Sequence, residues 1–226
     1  MHIEPGVVDG AKMVFAYGTA AAAAGYSFKL IANDLSSHTI ASFATRTVLA
    51  TIGVFVFFEL LPHFAVGVSE VHFILGTTLF LLLGAAPSAV GLALGLLVQG
   101  MFFAPTDLPM YFVNVTTLLV PLFAIDALAH RIIPRDRAYV DLAYADVFKM
   151  SVAYQGGVVA WVAFWAFYGQ GFGADNLNAV WTFGLAYMLV VVIEPIADLA
   201  VLAGAKALRG GGVRGLFTHR LYNNAA

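Results

Sequence analysis

Apolar residues along this chain come in long runs parted by short polar breaks, and the runs have the length a bilayer demands. A spanning helix needs roughly 20 predominantly apolar residues. Seven segments approach that length, near 10–32, 43–61, 71–84, 86–104, 111–129, 147–168 and 180–206. The third and fourth are separated only by GAAPSA, where Gly84 and Pro87 predict a tight helical hairpin. The third is short for a span, so it is expected to begin in a re-entrant stretch or to be shielded by protein. The pattern predicts an all-α fold: one polytopic membrane bundle of about seven transmembrane helices, forming a single domain over residues 1–226.

Composition supports the membrane reading. The 226 residues are 61% hydrophobic and 11% charged, with a mean hydropathy of +0.88. A soluble domain carries about 25% charged residues. The net charge of −2 says little for such a chain, because the distribution of charge across the bilayer matters more than its sum. Placing the C-terminus in the cytoplasm puts Lys29, Arg46, Arg131, Arg135, Arg137, Lys149, Lys206, Arg209, Arg214 and Arg220 in or beside inside loops. Those are ten of the eleven Lys/Arg, and only Lys12 remains outside. The positive-inside rule therefore predicts seven spans with the N-terminus out, in the plasma (inner) membrane. No basic run or aromatic motif points to nucleic acid. With no cysteine there is no disulfide, thiolate zinc site or iron–sulfur cluster, so metal chemistry must use histidine, carboxylate or backbone atoms.

The predicted orientation sorts the histidines. His2, His63 and His72 fall outside, and His38, His130 and His219 inside. The chain opens MHIEPG, which lacks the charged start and apolar run of a signal peptide. A free Met1 amine, the His2 peptide nitrogen and the His2 imidazole form two fused chelate rings, of five and six members, around one ion. A planar nitrogen set of this kind suits Cu(II) or Ni(II) and also holds Co(II). The amide must lose its proton, so affinity climbs with pH. Because histidine is large, methionine aminopeptidase is expected to leave Met1 in place. The alternative for this terminus is a frayed, solvated end. A fourth nitrogen is expected from LPHFAVGVSEVHFILG. There His72 stands at the mouth of the third segment, whereas His63 follows Pro62 and looks like a loop residue.

MHI followed by Gly6, the external histidine of SEVHFILG, and NVTTLLVP together resemble the CbiM/NikM group, the cobalt/nickel-specific membrane subunits of energy-coupling factor transporters. The resemblance implies a seven-helix, N-out bundle with the N-terminus tucked inside. It implies a metal held by the Met1 amine, the His2 amide and imidazole nitrogens, and His72. It also implies a divalent substrate, Co(II) or Ni(II), and two kinds of partner: an integral membrane scaffold (T) subunit and cytoplasmic ATPase subunits. The family usually has a glycine three residues after this histidine, whereas here Gly76 stands four on, which predicts a different local backbone path. Asn114 and Pro121 belong to a similar Asn-to-Pro segment and receive no assigned role.

Two further features need a reading. Glu194, Pro195 and Asp198 lie near mid-bilayer in YMLVVVIEPIADLAVLAGA, where an ionisable residue costs about 2.5–3.5 kcal/mol to insert. The expected role of Glu194 is a neutral carboxyl bonded to a neighbouring helix, holding the bundle together. The other reading is an ion pathway through Glu194 and Asp198 in a secondary transporter or channel. Glu59 and Glu70, nearer the external mouth, either attract cations or are solvated loop charges. Small-residue steps, Gly91 to Gly95 and Ala16, Ala20 and Ala24, predict close helix packing within the bundle, or else a docking face. There is no GxxxxGK[ST] loop, HExxH or GxSxG motif. The chain is therefore expected to be non-catalytic, with ATP hydrolysis on another chain.

Overall fold

A computed structural model of the protein describes residues 2–134, 136–208 and 215–223. One predicted ligand, Met1, and three predicted inside cations, Arg135, Arg209 and Arg214, lie outside the described residues. The architecture is helical. Seven principal helices run in chain order: α1 (Met13–Ser37), α2 (Ile40–Phe55, continued by a π turn Val56–Leu60), α3 (Gly76–Leu83), α4 (Ala85–Phe102), α5 (Tyr111–Ile132), α6 (Tyr144–Gln170) and α7 (Ala174–Ala207). A short hairpin of β1 (Phe64–Val66) and β2 (Ser69–Val71) sits between α2 and α3.

Among the described residues, five helices are long and apolar enough to cross a bilayer: Ile40–Leu60, Ala85–Phe102, Pro105–Ile132, Tyr144–Gln170 and Ala174–Ala207. At 25 residues α1 also has the length, but its Thr, Ser, Gly and Asn residues dilute its hydropathy. The third predicted segment differs most. Apolar from Val71 to Leu83, it is helical only over the eight residues of α3, about 12 Å at 1.5 Å per residue. Only Val71 of the stretch ahead of it is strand; residues 72–74 have no regular secondary structure and Leu75 is left-handed.

Backbone of this kind survives at membrane depth only where protein surrounds it. Here His72 and Ile74 are buried and Val71, Phe73 and Leu75 half-buried, and α3 behind them is buried at seven of its eight residues. Gly76 has to be glycine, because a Cβ there would lie 2.2 Å from the ring of Tyr154. Gly84, at φ +91°, makes the turn into α4, as the GAAPSA break predicts.

Both ends of α3 carry charge of the sign that its dipole prefers. At the N-terminal end, Glu194 accepts the backbone N–H groups of Ile74 and Leu75, the latter at 3.0 Å, and Asp198 accepts the Thr78 hydroxyl at 2.5 Å. At the C-terminal end, the fully buried Arg46 donates to the Leu83 carbonyl at 2.7 Å. Arg46 also forms a two-point pair with Asp34 of α1, at 3.0 and 2.6 Å. The Thr218 N–H then closes on the Leu82 carbonyl at 2.8 Å.

The glycine step of α4 belongs to the interior. A Cβ on Gly91 would meet the Ala50 methyl at 2.3 Å, and one on Gly95 would meet Val54 at 2.6 Å, so α2 and α4 approach closely enough to exclude side chains. On α1, Ala16 is buried, Ala20 half-buried and Ala24 exposed.

Candidate metal centre

The N-terminal strand is tied down along its length. The Ile3 N–H donates to the Asn114 side-chain oxygen at 2.8 Å. The His2 carbonyl accepts both the Glu70 N–H and the Ser69 hydroxyl at 2.9 Å, and the Glu4 N–H reaches the Val68 carbonyl at 3.2 Å. Ile3 bridges antiparallel to Ser69, so residues 2–4 act as a third strand on the β1–β2 hairpin. Further along, the Val7 carbonyl packs where a Cβ of Gly169 would stand, 1.8 Å away. From His2 onward the segment has too many partners to be frayed. His2 is only 3% exposed.

This strap delivers the His2 ring to His72, which is 2% exposed. The two rings lie 5.7 Å apart, and the Phe58 ring packs 4.5 Å from His72 and 6.0 Å from His2, closing the apolar side. Glu70, next but one before His72, faces His2. Its Oε2 accepts from His2 Nδ1 at 2.6 Å. Donor atoms of His2, Glu70 and His72 all lie within 4.8 Å of one another. Two nitrogens on opposite sides of an ion with bonds of about 2.0–2.1 Å stand about 4.2 Å apart, so the cluster is close to the size a transition metal requires. Asp107 adds a second carboxylate 3.7 Å from His2 Nδ1.

The electrostatics favour a neutral imidazole beside an ionised carboxylate. Burial holds His2 below its ordinary range, against the pull of Glu70. Burial alone would raise Glu70, but the hydrogen bond from His2 and the positive charges nearby bring it below the usual carboxylate range. The two effects are compatible in one arrangement: a neutral ring with its proton on Nδ1, donating to Glu70 carboxylate. For Glu4, burial and the charges of Glu70 and Asp107 raise the carboxyl, as expected where negative charge accumulates. On His72, Nδ1 donates to the Phe73 carbonyl at 3.1 Å, which puts the ring's lone pair on Nε2. Fixing one ring nitrogen by a hydrogen bond so that the other can ligate is the usual outer support of a metal-binding histidine.

Of the residues singled out from the sequence, His2 and His72 come together and Met1 lies outside the described residues. His63 is exposed, its Nδ1 3.3 Å from the Leu61 carbonyl, and belongs to the loop. Glu59 turns away to accept from Gln99 at 3.2 Å. Glu194 and Asp198 are buried in the bundle and hydrogen-bonded to backbone and side chains of α3 and α6. The Asn114 contact with Ile3 and the position of Asp107 had no signal in the sequence, since each depends on which distant segment lies opposite.

Comparison with curated proteins and with solved structures gave no match. A family model described as the cobalt uptake substrate-specific transmembrane region matches residues 2–210, nearly the whole chain. With five bilayer-length helices and a buried His–His–carboxylate cluster beside its N-terminus, the protein is a multi-pass membrane protein and belongs to the cobalt uptake substrate-specific transmembrane family.

Proposed function

We propose that the protein is the metal-capture membrane component of an ATP-driven energy-coupling factor importer, and that it takes Co(II) or Ni(II) from the extracytoplasmic side. The observation that carries this reading is the convergence of His2, Glu70 and His72 at the end of a strapped N-terminal strand. The ligands are the Met1 amine, the deprotonated His2 amide, the His2 imidazole and His72.

Chelate-ring size picks the His2 nitrogen. Amide nitrogen, Cα, Cβ, Cγ and Nδ1 close a six-membered ring with the metal, whereas Nε2 is too distant. Since Nδ1 contacts Glu70, loading places the cation at that atom and the ring's proton on Nε2, so the imidazole stays neutral and releases no proton. Glu70 and Asp107 then stand beside a dication and offset its charge. Family membership supports a transport role without catalysis.

The N-terminus faces outward, and the irregular stretch 72–75 with α3 counts as one crossing, giving seven. An integral scaffold subunit and cytoplasmic ATPase subunits supply the energy. The hydrogen bonds that engage Glu194 and Asp198 argue against a free-standing ion pathway through them. One added residue ahead of Met1 moves amine and amide out of register. Isothermal titration with Ni(II) on untagged and extended protein tests this: equal affinities overturn the ligand set.

A further inference from the structure

Glu194 lies outside the proposed ligand set, yet its carboxylate is bonded to the backbone that carries His72. Both oxygens are engaged. Oε1 accepts the Ile74 N–H, and Oε2 accepts the Leu75 N–H at 3.0 Å together with the Gln155 amide. Gln155 is in turn aimed by Tyr187, whose hydroxyl donates to its Oε1 at 2.7 Å. Every member of this chain is buried: Glu194, Ile74 and Tyr187 are fully enclosed, and Gln155 is 1% exposed. The carboxylate therefore has one orientation, set by α6 and α7, and the stretch 72–75 must come to it.

That stretch adopts a backbone conformation its sequence does not favour. Leu75 has φ 53° and ψ 38°, the left-handed region, and is the one non-glycine residue at positive φ among the described residues. Such a conformation costs about 1–3 kcal/mol and persists only where its surroundings over-determine it. Leu75 stands three residues after His72, where the resemblance expects a glycine, and holds the left-handed conformation that glycine adopts freely. Released from Glu194, Leu75 returns to negative φ and swings the residues ahead of it, of which His72 is the third. Metal donors must be held within about 0.5 Å to work.

Taking the ligand set of the preceding section as its basis, we infer that Glu194 is a positioning residue for the metal: by accepting the Ile74 and Leu75 N–H groups it holds Leu75 left-handed and fixes His72 at ligating distance from His2. It touches no metal itself.

A double-mutant cycle with Ni(II), on untagged protein with a free amine, tests this. Glu194→Gln replaces one acceptor oxygen with an amide that faces donors. It should weaken Ni(II) binding about 10–100-fold, the usual effect of losing an outer support. It should also shift the Ni(II) absorption band to that of His72→Ala. In the His72→Ala background the same change should have less than about a twofold effect, because the residue it positions is gone. Adding Leu75→Gly, which makes positive φ unstrained, should restore part of the lost affinity. Melting of each metal-free variant monitors the fold, and Gln155→Leu, which frees the carboxylate to turn, replaces Glu194→Gln if the latter does not fold. An equal loss in both backgrounds, or no loss in either, overturns the inference. If His72→Ala alone leaves affinity unchanged, it is the ligand set that fails.

Discussion

Two carboxylate clusters are built into the same molecule, some of their residues only a few positions apart along one segment, yet their partners differ in kind. At the mouth, Glu70 faces an imidazole, and its neighbours are another imidazole and a second acid. In the bundle, Glu194 faces two backbone N–H groups and a glutamine amide, and Asp198 faces a threonine hydroxyl. The mouth cluster gathers lone pairs that a cation can share. The inner cluster supplies acceptors to donors that already exist, and its result is a short helix with both ends satisfied. Burial differs as well, since Glu70 and Asp107 are half-buried and Glu194 and Asp198 are enclosed, but burial alone does not set their chemistry. What distinguishes them is whether the atoms around the carboxylate donate protons or offer lone pairs.

Four measurements can break or sharpen this contrast. The largest effect is expected from His2→Ala. A four-donor site binding with about 10–16 kcal/mol has about 2.5–4 kcal/mol in each donor, so Ni(II) affinity should fall about 60–700-fold, read by competition against a chelator. A loss under tenfold would remove His2 from the site.

Next is pH. Because burial keeps His2 neutral below its ordinary range, its protonation no longer limits binding at neutral pH, and the protons released above pH 7 come from the amide and amine. Affinity should rise at least about tenfold per unit from pH 7 to 9. A plateau just above the ordinary histidine range of about 6.5 would mean that imidazole titration alone controls binding.

A smaller effect follows from Glu70→Gln, which removes a negative charge beside the proposed dication and should weaken binding about tenfold, more at low salt. Unchanged affinity with unchanged salt dependence would leave Glu70 as a hydrogen-bond acceptor only.

The smallest effect on metal is expected at Asp198→Ala. It leaves the Thr78 hydroxyl without its acceptor, so unfolding of the metal-free protein should become easier by about 1–3 kcal/mol, while Ni(II) affinity stays within about twofold. A large loss of affinity there would merge the two clusters into one functional unit.

Much of this was legible before any coordinates. Long apolar runs placed α2, α4, α5, α6 and α7 within a few residues, because a bilayer imposes a length that hydropathy measures directly. The third segment was legible only as an apolar run. Hydropathy does not tell buried irregular backbone from a buried helix, and residues 72–75 are irregular although Gly76–Leu83 is helix. His72 and His2 were marked by their place beside Met1 and ahead of an apolar run. Asn114 stood in a noted segment, but its task appears only when Ile3 is laid against it. Asp107, in a loop of ordinary polarity, carried no mark. Glu194 was rightly expected to bond a neighbouring helix, since it accepts from Gln155 of α6, but its bonds to the backbone of Ile74 and Leu75 were not foreseen.

The sequence by itself determined that the chain lives in a membrane, where its long helices run, and which nitrogens are chemically able to chelate, since each follows from composition, length and local covalent structure. Only the tertiary structure decided that His2 reaches His72, that Glu70 and Asp107 join them, and that a glutamate more than a hundred residues away shapes the backbone beside His72. Those are contacts between segments remote in the chain, set by how buried donors and acceptors must pair where no water is available to satisfy them.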